Sequence, residues 1–310
     1  GSVAVALGGV YATLCPQHAR QHSGADRDIV GPGVQEGVRF VDTVTGNHSL
    51  ADRYALARTW PPPAHGLVPR AYAGLVTSWG CPYRCTYCAS HRLQPAYIRR
   101  EPAAVVEEIA LCVRRGIRNF AFYDDALLIQ ADKHLAPILE GILELDCPVA
   151  FHTPNGIHAG EIDADLAVLM RNAGFATIRL SLETIDAERQ RTTGGKVTTA
   201  GFERAAANLR AAGFKSRELG AYVLAGLPDQ PLADVEATIR FVHGLGVQAK
   251  LALFSPIPGT PDGDSVLPPG ADPLLHNNTV YPHLRGGTYS DDLQDLKLLA
   301  KAGNAQFLET

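Results

Sequence analysis

The alternation of short apolar runs with longer helical segments most constrains the fold of this 310-residue chain. From residue 72 onward, six runs rich in apolar and β-branched residues are separated by segments with apolar residues at i, i+3 and i+4 spacing. The predicted strands cover residues 72–78, 118–124, 148–153, 176–183, 219–226 and 248–255. Repeats of this kind predict a parallel sheet with helical crossovers, which closes fully or partly into a (β/α)6 barrel.

Polar residues and glycines follow the predicted strands. A loop with three cysteines comes after the first strand, and Asp124 and Asp125 come at the end of the second. Ser181 and Glu183 end the fourth strand, and Gly226 ends the fifth. Because the carboxyl ends of parallel barrel strands meet at one rim, where such barrels carry their chemistry, we expect these groups to lie near one another.

Three of the six cysteines, Cys81, Cys85 and Cys88, form a C-x3-C-x2-C pattern. Three thiolates can bind three irons of a cubane cluster and leave the fourth iron open to an external ligand. Zinc is the alternative, because His91 would complete a Cys3His set. Against zinc, all four groups would come from one eleven-residue loop, and a long barrel needs no metal for stability. Buried, inert thiols are a weaker interpretation of the same pattern.

Charge and hydropathy restrict the partners and the compartment. The net charge of -4 gives no electrostatic reason to expect nucleic acid or an anionic membrane as a partner. No apolar run approaches the roughly 20 residues that cross a bilayer, and the N-terminus lacks the order of a signal peptide. The cysteines do not form the framework of a secreted disulfide protein. We therefore expect a cytoplasmic protein with small-molecule partners.

The cysteine pattern, with Tyr87 directly before its last cysteine and a six-unit β-α chain around it, resembles the radical S-adenosylmethionine (radical SAM) superfamily. The resemblance covers Tyr72 to Pro261. It implies that Cys81, Cys85 and Cys88 bind a 4Fe-4S cluster whose open iron chelates SAM. An electron from the cluster then cleaves SAM to methionine and a 5'-deoxyadenosyl radical, which takes a hydrogen atom from a small-molecule or peptide substrate. It also implies a reduced flavodoxin or ferredoxin as electron donor.

The same resemblance implies a set of SAM-binding residues in softer motifs. Tyr87 resembles the aromatic residue that packs near adenine. The family usually has a Gly-Gly-Glu-like turn for the SAM amino group; here "YDDA" stands in its place, so that either Asp124 or Asp125 supplies the carboxylate. Ser181 and Glu183, in "SLE", resemble the ribose and carboxylate contacts.

Two further parts of the SAM site follow from the resemblance. The strand "AYVLAGLP" resembles the glycine-ended strand on which adenine lies, with Leu224 and Gly226 as its contacts. A cation for the SAM carboxylate is expected as well, and the sequence leaves three candidates: Arg179, Arg191 and Lys196.

The segment before residue 60 differs from the repeats. Residues 6–36 resemble the closing segment of the cobalamin-binding domain that precedes many radical SAM barrels. In that interpretation Gly8 and Gly9 allow close approach of a corrin or its nucleotide tail. The Asp-x-His-x-x-Gly motif, whose histidine binds cobalt, is absent from this chain. The opening Gly1-Ser2 also suits a tag scar, so this domain is predicted to be either shortened or vestigial.

The predicted organisation has three parts: a cobalamin-domain-like α/β fragment with a linker at 1–60, a radical SAM (β/α)6 barrel at 61–262, and an extension with a terminal helix at 263–310. Three functional hypotheses remain open. The first is a radical SAM enzyme that transfers a methyl group to carbon through cobalamin, and the second is a radical SAM enzyme without cobalamin. The third is a zinc-stabilised barrel that serves as a binding module. The sequence indicates neither the substrate nor the oligomeric state.

Overall fold

A computed structural model describes residues 3–47, 63–65 and 70–307. Most of the proline-rich linker predicted at 57–70, and the predicted boundary near residue 60, lie outside the described residues. Within the described part, no helix is long and apolar enough to span a membrane.

The N-terminal fragment is a small α/β unit. Its elements in chain order are β1 (Ala6–Leu7), α1 (Val10–Leu14), α2 (Pro16–His22), β2 (Arg27–Asp28) and α3 (Val34–Thr45). The two strands pair in parallel, and Ala6 is the register partner of Arg27. A strand, the Gly8-Gly9 pair and a helix follow one another in this fragment.

The rest of the chain contributes the strands of the barrel and three short additional strands. In chain order they are β3 (Tyr72–Leu75), β4 (Ser78–Trp79), β5 (Ile98–Arg99), β6 (Asn119–Phe122), β7 (Ala150–His152), β8 (Ile157–His158), β9 (Phe175–Glu183), β10 (Leu219–Ala225) and β11 (Gln248–Leu253). The main sheet has the order β11-β10-β9-β7-β6-β3, and β8 pairs with β9. All of its pairings are parallel, as the repeats predict.

Helices cover the outer side of this sheet and extend beyond it. They are α4 (Ser90–Leu93), α5 (Pro102–Arg114), α6 (Leu135–Leu143), α7 (Ala164–Asn172), α8 (Ala187–Thr192), α9 (Thr199–Ala211), α10 (Leu232–Gly244), α11 (Pro261–Val266), α12 (Tyr281–Leu284) and α13 (Tyr289–Ala305). Local capping fixes several starts: Asp163 accepts from the Leu166 amide at the start of α7, and Thr198 accepts from the Gly201 amide at the start of α9.

The hydrophobic core lies between the sheet and these helices. Alternate strand residues point outward into it, among them the fully buried Phe120, Phe122 and Phe151. Phe175 completes an aromatic group in which ring centroids lie 5.3 to 5.8 Å apart. The other set of strand residues faces the interior of the barrel, where the sequence is more polar. The sheet therefore separates a packed core from an inner surface that is available for ligands.

Each of the six predicted barrel strands is confirmed, with one correction. The first was predicted to run to residue 78, but β3 ends at Leu75 and β4 pairs antiparallel with β5. The barrel is partial, because β3 and β11 end the sheet path without pairing to each other in the described chain. Asn304 of α13 protects the β11 edge: its side-chain amide donates to the Ala249 carbonyl and accepts from the Ala249 amide, both at 2.8 Å.

Candidate functional site

The cysteine loop, residues 80–89, joins β4 to α4 at the carboxyl edge of the sheet. Cys85 is only 7 % exposed, and Cys81 and Cys88 are half-buried. All three are free thiols. The Ser90 amide donates to the Cys88 sulfur at 3.5 Å, which draws the end of the loop into the start of α4.

Asp124 anchors the chain that leads into this loop. Its Oδ1 accepts from the main-chain amides of Thr77 (3.0 Å) and Ser78 (2.5 Å) and from both of their hydroxyls (2.7 Å each). The carboxylate is 3 % exposed and is surrounded by these donors. This geometry uses the Asp124 carboxylate to hold the main chain at Thr77 and Ser78. That either Asp124 or Asp125 contacts the SAM amino group stays a prediction. The same geometry explains why β3 stops early, since the amides that would extend the ladder point at Asp124.

Asp125 is the carboxylate that faces the cysteines. It lies on the exposed side of the turn, and its negative charge contributes to a raised pKa at Cys81. A hydrogen bond from Ser90 opposes the effect of burial, which on balance raises the pKa of Asp125. Of the two candidates for the SAM amino group, the structure therefore leaves Asp125 beside the loop and places Asp124 behind it.

Two glycines let the main chain close around the loop. A Cβ at Gly194 would lie 2.8 Å from the Cys85 sulfur, and a φ of +139° there disfavours any other residue. At Gly80, φ is +80° and a Cβ would lie 2.6 Å from the Ala96 carbonyl oxygen. The Thr86 amide also donates to the Thr193 carbonyl at 3.2 Å. Residues 193–194 thus form one wall of the cysteine loop.

Burial favours the protonated form of two of the thiols, Cys81 and Cys85. It raises the pKa of Cys81 to about 11, and it also raises the pKa of Cys85. Lys196 and a hydrogen bond from the Tyr87 hydroxyl act in the opposite direction on Cys85. Tyr87, the residue predicted near adenine, therefore lies directly beside a cysteine sulfur. Its ring also packs against the apolar cluster of Leu224, Leu227, Phe254 and Tyr281.

Lys196 and Glu183 form a largely buried ion pair next to the loop. The Lys196 Nζ lies 2.7 Å from the Glu183 carboxylate and 5.7 Å from the centroid of the Tyr87 ring. Burial alone would lower the pKa of Lys196, but Glu183, Cys85 and Cys88 raise it on balance. Glu183 has a φ of +68°, which marks the sharp end of β9. The ion pair with Glu183 fixes the Lys196 ammonium group next to the cysteines.

The other two candidate cations lie elsewhere. Arg191 is 71 % exposed and pairs with Glu188 on α8. Arg179 lies four residues before Glu183 on β9, which is about 13 Å further down the strand at 3.3 Å per residue. Of the three candidates, the structure brings only Lys196 next to the cysteine sulfurs.

The remaining predicted SAM contacts lie at the ends of β9 and β10. Ser181 is buried, and a Cβ at Gly156 would overlap its hydroxyl, so the 154–156 turn covers it closely. Leu224 belongs to the apolar cluster beside Tyr87. Gly226 has a φ of +99°, and the Gln230 side chain accepts from its amide at 2.9 Å. These groups lie at the same rim as the cysteine loop.

Two buried side chains near the loop were missed by the sequence interpretation. His134 Nε2 donates to the Thr77 hydroxyl at 2.9 Å, since that hydroxyl already donates to Asp124. His158 is 4 % exposed, its ring lies tilted against Tyr83 of the loop at 4.8 Å between ring centroids, and its Nδ1 has no hydrogen-bond partner among the described residues. Burial lowers the pKa of each histidine to about 4. No local sequence pattern marks either histidine, because their partners are distant in sequence.

The donor set suits a cluster held by three cysteines. It consists of three free thiols on one loop, enclosed by close main-chain contacts and faced by a buried lysine. Among the residues that the structure describes, no group of three or more His, Cys, Asp or Glu side chains is gathered tightly enough to hold a single metal ion. Three thiols on one loop are the number that a cubane cluster with one open iron requires.

The N-terminal fragment contacts this end of the barrel through α1, which packs against α4. A cavity of about 620 Å³ lies between residues 14–18 of the fragment and residues 258–273. Gly9 has a φ of +86° and open space where a side chain would begin, whereas a Cβ at Gly8 would meet Ile29 at an ordinary 3.5 Å. The main-chain conformation thus requires glycine at position 9, and the space beside it is open.

Comparisons with known proteins agree with this fold. A family model described as the Radical SAM superfamily matches residues 75–242. An uncharacterised methyltransferase of Pyrococcus horikoshii is 22 % identical over 290 residues, which cover 84 % of this chain and 62 % of the relative.

Two solved structures share the fold. One is the radical SAM methyltransferase TsrM from Kitasatospora setae with cobalamin and a 4Fe-4S cluster bound; it has a TM-score of 0.67 and 17 % identity over 84 % of this chain and 59 % of its own. The other is the cobalamin-dependent SAM radical enzyme OxsB, with a TM-score of 0.60 and 16 % identity over 80 % of this chain and 40 % of its own. The chain therefore spans less than two thirds of each of these proteins.

Proposed function

The chain belongs to the radical SAM superfamily, and from that premise we propose that it is an enzyme that cleaves SAM reductively and abstracts a hydrogen atom from a substrate. Cys81, Cys85 and Cys88 would hold a 4Fe-4S cluster. When bound, the cluster supplies the electron that converts SAM to methionine and a 5'-deoxyadenosyl radical. The observation that carries the proposal is the enclosed loop of three free thiols at the carboxyl edge of the barrel.

The chain's own residues would position SAM at this edge. Lys196 offers a fixed positive charge for the SAM carboxylate. The Glu183 carboxylate holds the Lys196 ammonium group in place. Asp125 faces the loop and suits the SAM amino group. Tyr87 and Leu224 form an apolar wall for adenine, and the buried Ser181 hydroxyl lies at the end of β9. The surrounding apolar cluster would exclude water from the radical.

The first experiment is anaerobic reconstitution with iron and sulfide, followed by SAM and a strong reductant. We expect about four irons per chain and release of 5'-deoxyadenosine. Cys85→Ala should lose both, whereas Cys147→Ala, a free cysteine outside the loop, should retain both. A protein that holds one zinc and no iron, or SAM cleavage that survives Cys85→Ala, would contradict the proposal.

Methyl transfer to carbon through cobalamin is the more specific reaction that this proposal allows. The TsrM match covers 84 % of 310 residues, about 260, which exceeds the 202 residues of the predicted barrel at 61–262. The fold similarity therefore extends beyond the barrel. The open space at Gly9 and the cavity beside residues 14–18 offer room at the interface between fragment and barrel. The chain has no Asp-x-His-x-x-Gly motif for cobalt.

The protein is incubated with cobalamin and desalted, and its corrin absorbance is then measured. This measurement distinguishes a cobalamin-dependent radical SAM enzyme from one without cobalamin. Retained corrin supports methyl transfer to carbon, and 5'-deoxyadenosine release without retained corrin supports hydrogen abstraction alone. A cytoplasmic location and a reduced flavodoxin or ferredoxin as electron donor complete the proposal, because three free thiols and a low-potential cluster need a reducing compartment.

A further inference from the structure

The inner face of the barrel carries an arginine without an acidic partner. Arg179 lies on β9 and faces the barrel interior with Thr177 and Ser181, since alternate strand residues share a face. Its Nη1 donates only to main-chain carbonyl oxygens, those of Ile178 at 3.2 Å and Glu218 at 3.4 Å. No described carboxylate lies within ion-pair distance of it. A half-buried guanidinium of this kind has donors left for an anion.

Gly220 makes room for this side chain. It is the register partner of Arg179 on β10, and a Cβ there would lie 3.0 Å from Arg179 Cδ and 3.2 Å from Nη1. The main-chain conformation at Gly220 does not itself demand glycine, because its φ is not positive. The absence of a side chain instead lets Arg179 lie across β10 towards β11.

A second cation lies on β11. Lys250 is the register partner of Tyr222, which in turn pairs with Ser181, so Lys250 lies one row above the Arg179–Gly220 pair on the same face. The described residues give it no ion pair. Burial and the nearby Arg179 charge lower the pKa of Lys250, and the same two causes lower the pKa of His152. Positive charge on this inner face is therefore uncompensated.

Arg179 and His152 line a cavity of about 490 Å³, together with residues of β3, β6, β9 and β10 and residues next to these strands. Lys250 lies outside the lining of this cavity. Its polar side chains are those of Tyr72, Asn119, Tyr123, His152, Thr177, Arg179 and Tyr222. Among the described residues, no aspartate or glutamate lines it. The volume is in the range of small-molecule sites, and the charge favours an anionic ligand.

We propose that this inner cavity binds the anionic end of the substrate, a carboxylate or a phosphate, through the Arg179 guanidinium, with Lys250 adding positive charge from the neighbouring strand. Arg179 lies about 13 Å below Glu183, so an anion held there would leave the other end of a small substrate near the rim where SAM is proposed to bind. The inference rests on the proposed function for its identification of the ligand as substrate. The anion site itself rests on the geometry alone.

The test measures oxyanion binding to the reconstituted protein without substrate. Inorganic phosphate is followed by the phosphorus NMR linewidth and succinate by saturation transfer, so that the two probes distinguish a phosphate site from a carboxylate site. The variants are Arg179→Gln, Lys250→Gln and Gly220→Ala. Gly220→Ala would displace the Arg179 guanidinium while keeping its charge. Arg240→Gln is the matched control, since Arg240 is an exposed helix arginine paired with Glu236.

We expect saturable binding of at least one probe to the wild-type protein and to Arg240→Gln. Arg179→Gln and Gly220→Ala should each weaken it by about tenfold, because charge-assisted hydrogen bonds are lost. Lys250→Gln should weaken it less. Absence of saturable binding to the wild type, or wild-type affinity in both Arg179→Gln and Gly220→Ala, would overturn the inference. Release of 5'-deoxyadenosine by the wild-type protein is measured separately: if it is absent while the probes still bind, the proposed function fails and the anion site stands.

Discussion

The cysteine loop and the aromatic core of the sheet lie close together but are held in different ways. Four phenylalanines from three neighbouring strands form the core, and each contacts at least one other ring. In the loop, Tyr87 packs against a smaller apolar cluster. The chain that leads into the loop is held by single polar contacts, chiefly those of Asp124 with Thr77 and Ser78.

This difference teaches how the two regions should respond to change. A packed core distributes its stabilising energy over many small dispersion contacts, so the loss of one side chain is partly absorbed by its neighbours. A buried carboxylate that accepts from four donors stabilises the structure through one group. Its removal leaves all four donors without an acceptor. We expect removal of the Asp124 carboxylate to prevent cluster binding, and core substitutions to lower stability while the cluster stays bound.

The largest effect should come from Asp124→Ala. Removing the carboxylate leaves the Thr77 and Ser78 amides and hydroxyls without their buried acceptor, which should lower the free energy of unfolding by about 4 kcal/mol. Most of the iron should also be lost on reconstitution. Chemical denaturation and iron analysis measure the two effects. Asp132→Ala, an exposed aspartate near α6, is the control, and iron content equal to that control would contradict the anchoring role.

The fold was predictable where a short-range pattern encodes it. Strands that are covered on one side by helices and on the other by the barrel interior have apolar sequences. In the helices between them, apolar residues recur about every 3.6 residues. The six strands could therefore be located from the sequence. The cysteine loop was found by spacing. The different positions of Asp124 and Asp125 were not predictable, since the position of Asp124 depends on a contact with Thr77 across 47 residues. The place of Arg179 depends on strand register with Gly220, which sequence alone does not show.

Acid should weaken the loop anchor through His134. Burial holds its pKa at about 4 in the folded protein, against an ordinary value of 6.5. Between these values the unfolded chain binds a proton that the folded chain does not, so stability falls as the pH decreases from 6.5 towards 4. The full contribution is about 3 kcal/mol. Denaturation at a series of pH values should show a shallower acid loss in His134→Gln than in the wild type.

The control for this pH dependence is His22→Gln, because His22 is exposed on α2. It should keep the wild-type acid profile. An identical profile in His134→Gln would mean that other groups, such as the buried His158, carry the acid sensitivity. The anchor would then be insensitive to pH in this range.

The core side of the comparison is tested by Phe151→Leu. The ring is fully buried and contacts Phe120, Phe122 and Phe175. Loss of ring contacts, partly recovered by the leucine, should lower the free energy of unfolding by about 1.5 kcal/mol. Iron content at a temperature where the variant is folded should equal that of the wild type. Loss of iron in folded Phe151→Leu would break the distinction between the two regions.

The smallest effect should come from Thr86→Val, which removes one hydroxyl within the cysteine loop. That hydroxyl donates to the Asp262 carboxylate at 2.7 Å and ties the loop to the start of α11. Valine keeps the shape, and the main-chain bond from the Asp262 amide to the Thr86 carbonyl remains at 3.1 Å. We expect a loss of about 1 kcal/mol and a faster release of iron to a chelator. Because this contact is one of several at the loop's far side, iron content before chelation should stay near the wild-type level. If Thr86→Val instead loses as much iron as Asp124→Ala, the loop is held by all of its polar contacts acting together. Asp124 is then one of several equivalent contacts.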